Sequence, residues 1–226
     1  MSQGFTYAVD LVLVIDATGS MSSIIERVKA SALKFHDDLG RKMTDQNKVI
    51  DELRVRVVAY RDFYANDADA LVQSEFFELP AEQDAFASFV SGIRAVGGGD
   101  EPETALEALV AAVRSPWTTS GTKRRHAIVV WTDASAHPLE KNGDAKPARY
   151  PADMPADLSD LTDLWEGQDG MDANAKRLVL FAPDAYPWTD INNHWEEVLQ
   201  YPAKAGQGME EMEYSEVLEL IANSIG

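Results

Sequence analysis

Three short apolar runs, each followed by an aspartate, set the fold class expected of this chain. In chain order they are residues 8–15 before Asp16, residues 127–132 before Asp133, and residues 178–182 shortly before Asp184. Nearly continuous Val, Ile and Leu is typical of parallel strands that are covered by helices on both faces. The runs therefore predict the inner strands of a parallel β-sheet.

Helical patterns alternate with these strands. Apolar residues recur every three or four positions in stretches that run over 25–39, 86–93, 106–113 and 214–225. This spacing predicts amphipathic helices, and Gly40 stands where the first of them is expected to end. Further strands are predicted at 53–60 and 198–201, and residues 71–79 follow strand 53–60 too closely for a helical crossover.

Together these patterns predict one α/β domain over residues 1–226. We expect a doubly wound, mostly parallel six-stranded sheet with one antiparallel edge strand, residues 71–79, and with helices on both faces. Residues 138–157 contain four prolines and little apolar periodicity. They predict an exposed loop before a short helix at 158–165.

Composition narrows the classes of partner and the compartment. The chain has 20 Lys and Arg against 38 Asp and Glu, a formal charge of −18, which disfavours nucleic acid and anionic membrane surfaces as partners. The absence of cysteine excludes disulfides, zinc–thiolate sites and cysteine nucleophiles. The N-terminal residues lack a basic region, and Asp10 interrupts their apolar run, so we expect a strand rather than a signal peptide and a cytoplasmic protein.

Oxygen-bearing side chains collect where the predicted strands end. Asp16, Thr18 and Ser20 place a carboxylate and two hydroxyls on one loop, and ligands of open α/β sheets bind at this edge. Oxygen ligands suit Mg²⁺, Mn²⁺ or Ca²⁺. Because one loop cannot complete a coordination shell, Asp133 and Asp100 are the candidates for the remaining ligands. The alternative is that these side chains only cap a helix N-terminus or a turn.

The same residues resemble the metal-ion-dependent adhesion site of von Willebrand factor A (vWA) domains. Asp16-Ala17-Thr18-Gly19-Ser20-Met21 matches the first loop of that site, and Asp133 matches the aspartate of its third loop. The resemblance covers essentially the whole chain. It implies a Rossmann-like fold and a divalent cation, Mg²⁺ first, with an open position for the Asp or Glu of a protein partner.

The second loop departs from the usual vWA pattern. Residues 98–106, GGDEPETAL, place Asp100 where the family has its metal-proximal threonine. A subset of the vWA family carries a Gly-Gly-Gly-Asp-x-Pro-Glu variant of this loop together with a stretch like residues 59–62, AYRD. This sequence resembles that subset. Three carboxylates around one dication would retain it more tightly and weaken its attraction for a partner's carboxylate.

Three further side chains are candidates for partner contact: Arg61, Asp62 and His137. Arg61 and Asp62 have a simpler interpretation as a structural ion pair at the sheet edge. His137 lies four residues beyond Asp133, and its simpler interpretation is a solvent-exposed or capping histidine.

A phosphatase of the haloacid dehalogenase type also carries an aspartate after its first strand. That chemistry needs a second acid two residues later, and this position is Thr18. We therefore expect no enzyme activity. The expected function is a metal-dependent adaptor, which the resemblance associates with bacterial stress or defence systems; the alternative is a metal-independent scaffold that binds through residues 138–157.

Overall fold

A computed structural model describes residues 6–66, 69–97, 102–141, 146–167, 170–204 and 213–226. In these residues strands and helices alternate along the chain, as the sequence predicts. The strands are β1 (Tyr7–Asp16), β2 (Glu52–Tyr60), β3 (Leu71–Gln73), β4 (Phe77–Leu79), β5 (Lys123–Trp131), β6 (Lys176–Ala182) and β7 (Val198–Pro202). The helices are α1 (Ser22–Ser31), α2 (Phe35–Asp45), α3 (Phe63–Asn66), α4 (Gln83–Gly92), α5 (Ala105–Val113), α6 (Leu158–Glu166), α7 (Trp188–His194) and α8 (Tyr214–Ile225).

All seven of these strands belong to one sheet, in the order β3-β2-β1-β5-β6-β7, with β4 also paired to β2. Strands β2, β1, β5, β6 and β7 are parallel to one another. Strands β3 and β4 run antiparallel to β2 at the edge. The predicted α/β class, with a mostly parallel sheet and an antiparallel edge, is confirmed.

The edge strand predicted at 71–79 is wrong in one respect, because it divides into β3 and β4. Ser74 lies between them, and its hydroxyl accepts a hydrogen bond from the Val57 N–H at 3.0 Å. The same hydroxyl donates to the Glu75 carbonyl at 2.7 Å. The Ser74 side chain thus replaces a backbone hydrogen bond between strands and interrupts the edge strand. The described sheet therefore has seven strands instead of six.

The sheet separates two hydrophobic cores, because successive side chains of a strand point to opposite faces. Leu11 and Leu13 of β1 face the core formed with α1, α2, α4 and α8. Val12 and Val14 face the core formed with α5, α6 and α7. Helices therefore cover both faces, as predicted, and β1 is buried along its whole length.

The first predicted helix does not end at Gly40 as expected. It consists of α1 and α2, joined by a short 3-10 turn at Ala32–Lys34, and Gly40 lies inside α2. Met43, fully buried one turn later, holds this part of α2 against the core. The helix therefore continues to Asp45, and the chain reverses at Asn47, where φ is +58°.

Strand β1 contains one buried acid near its amino end. Asp10 is 1% exposed and accepts hydrogen bonds from Arg54 Nε at 2.8 Å and Arg54 Nη2 at 2.6 Å. The Thr118 N–H donates to the same carboxylate at 2.6 Å. A bidentate arginine therefore neutralises this carboxylate inside the protein.

No helix in the described ranges is long and apolar enough to cross a membrane.

Candidate metal site

Three neighbouring strands end side by side at the carboxyl edge of the sheet. Asp16 and Tyr60 are direct partners in the register of β1 and β2, and Ile15 pairs with Trp131 of β5, one residue before Thr132. Val14, Val58 and Val130 all face the α5–α7 core. Residues two positions further along a strand share that face, so Asp16, Tyr60 and Thr132 form a row above it.

Hydrogen bonds connect the predicted metal ligands across two loops. The Thr18 N–H and Oγ1 both donate to Asp16 Oδ1, at 2.9 Å and 2.6 Å. Thr18 Oγ1 lies 3.4 Å from Ser20 Oγ, which donates to Asp133 Oδ1 at 2.9 Å. The structure thus brings together four of the five predicted residues. Asp100, the fifth, lies outside the described residues.

The two carboxylates of this cluster are buried. Asp16 is fully buried and Asp133 is 1% exposed. Burial raises the pKa of Asp16 to about 6, the neighbouring Asp133 adds to the rise, and the bonds from Thr18 and Thr132 oppose it. Both effects disfavour the charged form of Asp16, and a bound cation would favour it.

The chemistry of these donors fits a hard divalent cation. Two carboxylates and two hydroxyls offer only oxygen, which Mg²⁺, Mn²⁺ and Ca²⁺ prefer. Within the described ranges no group of three or more His, Asp or Glu side chains has the geometry to hold a metal, so the hydroxyls are essential to the set. Metal binding by these residues stays a prediction.

The capping interpretation of the first loop holds in part, because Asp16 Oδ1 accepts a hydrogen bond from the Thr18 N–H of the turn. Neither the 3-10 turn at Gly19–Met21 nor α1 receives a side-chain capping bond at its N-terminus. The loop is held by its backbone instead: the Ala17 N–H donates to the Tyr60 carbonyl at 2.7 Å, and the Gly19 N–H donates to the Gly97 carbonyl at 3.1 Å. The Thr18 and Ser20 hydroxyls therefore remain within the carboxylate cluster.

The segment before α5 is joined to the loop that carries Asp133. The Glu103 N–H donates to the Ser135 carbonyl at 2.9 Å, and the His137 N–H donates to the Glu103 carbonyl at 2.8 Å. Glu103 is 4% exposed. These bonds fix the second loop beside the third, so Glu103 is another buried acid at this edge.

Arg61 and Asp62 do not form the ion pair that was their simpler interpretation. Within the described ranges Arg61 donates to the carbonyls of Asp69 and Arg94, at 2.7 Å and 2.6 Å. Asp62 Oδ1 instead accepts from Thr104 Oγ1 and the Tyr64 N–H, each at 3.0 Å. Both side chains are buried, and their hydrogen bonds hold neighbouring loops in place. Contact with a partner through them stays a prediction.

His137 is half-buried rather than fully exposed. Its Nε2 lies 3.7 Å from Asp62 Oδ1, and its ring lies 4.8 Å from the Tyr64 ring, measured between centroids. Tyr64 is 48% exposed. His137 thus connects the Asp133 loop to the end of β2, and its contact with a partner stays a prediction.

Residues 138–157 are anchored beside this edge. Tyr150 Oη donates to Glu107 Oε1 at 2.6 Å, and Lys141 Nζ lies 3.5 Å from the same oxygen. Glu107 is fully buried on α5, and burial raises its pKa, an effect that Tyr150 and Lys141 oppose. Leu139 is buried as well. The described part of the loop, 138–141 and 146–157, therefore packs against the body at these points.

Thr132 and Tyr60 were not predicted as site residues, although the sequence places the end of strand 53–60, at Tyr60, on the edge where ligands are expected. Thr132 Oγ1 donates to Asp16 Oδ2 at 2.8 Å and accepts from the Ala134 N–H at 3.1 Å. Tyr60 is fully buried beside Asp16. The alternation of strand faces was the signal for both, because each lies two residues beyond an inward-facing valine. Asp184, the third strand-end acid, is exposed.

Comparisons of the sequence with known proteins find distant relatives. No family model matches the chain. An alpha-protein kinase, vwkA of Dictyostelium discoideum, is 28% identical over 160 residues, which are 69% of this chain and 24% of that protein. A putative ariadne-like RING finger protein, R811 of Acanthamoeba polyphaga mimivirus, is 29% identical over 57% of this chain and 11% of its own length. The alignments thus cover a quarter or less of each relative.

Solved structures resemble nearly the whole chain at low identity. The pilus adhesin SpaC of Lactobacillus rhamnosus GG matches with a TM-score of 0.59 and 10% identity, covering 99% of this chain and 31% of SpaC. The vWF domain of the type V pili tip protein Mfa5 of Porphyromonas gingivalis matches with a TM-score of 0.52 and 12% identity, covering 98% and 96%. The chain therefore has a vWA-like α/β fold.

Proposed function

We propose that this chain is a protein-interaction module that presents a divalent cation to an acidic side chain of a protein partner. Asp16, Thr18, Ser20 and Asp133 would hold the ion, with Asp100 as a further ligand. Mg²⁺ is the first choice, and Mn²⁺ and Ca²⁺ are the alternatives. The ion supplies one centre of positive charge that attracts the partner's carboxylate.

The observation that carries the proposal is a contrast between two buried aspartates of β1. Asp10 accepts two hydrogen bonds from the Arg54 guanidinium. Asp16 is equally buried, yet its bonds within the described ranges come from the neutral Thr18 and Thr132 groups. Buried charges in proteins are paired or coordinate metals. A bound cation would supply the positively charged partner that Asp16 lacks within the described ranges.

The charge of the whole chain favours this way of binding. A net charge of −18 repels acidic partners from most of the surface. A dication at the carboxyl edge reverses the field at one point, so an acidic residue is directed to that point. The relatives' names include a pilus adhesin and a pili tip protein, and an interaction role is consistent with these names.

The proposal includes binding without catalysis. Thr18 occupies the position where a haloacid dehalogenase-type phosphatase requires its second acid, and its hydroxyl already donates to Asp16 at 2.6 Å. A threonine hydroxyl cannot protonate a leaving group at neutral pH.

A cytoplasmic location and an adaptor role in a bacterial stress or defence system are further parts of the proposal, and they are based on the family resemblance.

Capture of the partner tests the proposal. Tagged wild type and Asp16→Ala are incubated with native lysate in excess Mg²⁺ or in EDTA, and bound proteins are identified by mass spectrometry. Asp153→Ala, an exposed aspartate, is the matched control. We expect a partner with wild type and Asp153→Ala in Mg²⁺ alone, and loss of capture when the partner's acidic contact residue is changed to alanine. Equal capture in every condition would exclude a metal-dependent interaction.

A further inference from the structure

Tyr60 carries a hydroxyl that lacks a hydrogen-bond partner among the described residues. The side chain is fully buried, and its Oη makes no hydrogen bond of acceptable geometry within the described ranges. Burying a hydroxyl without a partner is unfavourable, because the group gives up its bonds to water. A phenylalanine would fill the same space without this cost, so the hydroxyl itself needs an explanation.

The surroundings of this hydroxyl are the candidate metal site. Tyr60 is the register partner of Asp16 and lies on the same face of the sheet. The carboxylates of Asp16, Glu103 and Asp133 and the hydroxyl of Thr132 are its polar neighbours. Thr132 is the neighbouring hydroxyl, but its proton is directed to Asp16 Oδ2 at 2.8 Å. The phenol therefore has its proton available at the centre of the acidic cluster.

We propose that Tyr60 donates this hydrogen bond to a water molecule in the coordination shell of the bound cation. The inference rests on the proposed function, because it assigns a role to Tyr60 only when the ion is present. Tyr60 is then a positioning residue that acts through the bound water. Partners of this kind hold metal ligands in place and strengthen metal affinity.

A structural role alone makes a different prediction. If Tyr60 only fills the core beside α5, then Tyr60→Phe removes an unsatisfied hydroxyl and leaves cation affinity unchanged. Tyr214 on α8 provides the matched control, because its hydroxyl also lacks a partner in the described ranges and it packs in the other core. Both changes delete one phenolic oxygen, and Tyr214, which is half-buried, packs on the face of the sheet opposite the candidate metal site.

The test is a calorimetric titration of metal-free protein with MgCl₂, using wild type, Tyr60→Phe and Tyr214→Phe. We expect affinity to fall about tenfold for Tyr60→Phe and to remain unchanged for Tyr214→Phe. Unfolding by urea in EDTA is expected to show both variants at least as stable as wild type. A second measurement is the near-UV difference spectrum on adding Mg²⁺, where wild type should show a tyrosine signal that Tyr60→Phe lacks.

The outcomes separate this inference from the proposed function. Equal Mg²⁺ affinity of wild type and Tyr60→Phe overturns the role of Tyr60 and leaves the cation site in place. No Mg²⁺ binding by wild type overturns both. If Tyr60→Phe does not fold, the spectrum of wild type decides, because the absence of a tyrosine signal at saturating Mg²⁺ contradicts the inference.

Discussion

The Thr132 hydroxyl donates a hydrogen bond of 2.8 Å to Asp16 Oδ2, and so connects the end of β5 to the end of β1. Thr18 occupies the other oxygen, Oδ1, with two donors. The carboxylate plane of Asp16 is thus fixed from both sides before any ligand arrives. Fixed orientation of a ligand lowers the conformational cost of binding a cation.

Removal of the Thr132 hydroxyl tests this connection. Thr132→Val is expected to destabilise the metal-free protein by about 2 kcal/mol, because a bond to a buried carboxylate is lost, and to weaken Mg²⁺ binding about tenfold. Urea unfolding in EDTA and a calorimetric titration measure the two effects. Thr132→Ser keeps the hydroxyl and should retain most of the Mg²⁺ affinity; equal affinity for the valine and serine variants would exclude a role for the bond.

The two buried aspartates of β1 should respond differently to the same substitution. Asp10→Asn breaks a bidentate pair with Arg54, so we expect a loss of about 3 kcal/mol in unfolding free energy and unchanged Mg²⁺ affinity. Asp16→Asn removes a carboxylate whose charging is disfavoured by burial. It should abolish Mg²⁺ binding and lower stability in EDTA by less than Asp10→Asn does, because relief from burying a charge partly offsets the bond from Thr18 or Thr132 that an amide nitrogen cannot accept. The reverse pattern would mean that Asp16 is structural.

Glu107 gives the stability a defined pH dependence. Its pKa is raised above the value of 4.5, first by burial, so the folded protein retains this proton better than the unfolded chain does. The stabilisation is complete below about pH 4.5 and is lost as the pH rises through the raised pKa. Glu107→Gln cannot lose the proton, so its stability relative to wild type should increase as the pH rises above about 4.5.

Urea unfolding in EDTA at several pH values measures this trend. Glu219→Gln is the matched control, because this glutamate is largely exposed and pairs with Lys42 at the surface. A constant difference between Glu107→Gln and wild type across the pH range would contradict the assignment.

The alternative of a scaffold that binds through residues 138–157 predicts that surface changes there abolish capture. Deleting the loop would also uncover Glu107, since Tyr150 and Lys141 cover it, so charge reversal at exposed positions is cleaner. Glu140→Lys with Asp153→Lys changes two exposed acids of the loop. We expect partner capture in Mg²⁺ to survive this change and to disappear with Asp16→Ala; the opposite result favours the scaffold.

Much of this architecture was predictable because buried faces leave a strong pattern of apolar residues in the sequence. The apolar run of β1 and the helical spacing of α5 follow directly from which faces are covered. The strand ends also placed Asp16 and Asp133 at one edge, and their hydrogen-bonded connection through Thr18 and Ser20 agrees with that placement.

The errors arose where tertiary contacts override local preference. Gly40 is a frequent helix terminator, but burial of Met43 continues α2 beyond it. The hydroxyl of Ser74 divides one expected strand in two. Arg61 and Asp62 are adjacent in sequence, yet Arg61 bonds to backbone carbonyls and Asp62 bonds to Thr104. Partners of this kind are distant along the chain, so no local pattern reveals them.

The most direct test of the account is a calorimetric titration of EDTA-treated protein with MgCl₂, repeated with Asp133→Asn and Ser20→Ala. These two residues are 113 positions apart and share a hydrogen bond of 2.9 Å. The account predicts one binding site in wild type, no measurable binding for Asp133→Asn and weaker binding for Ser20→Ala. Wild type that binds no Mg²⁺, Mn²⁺ or Ca²⁺, or variants that bind as wild type does, would contradict it.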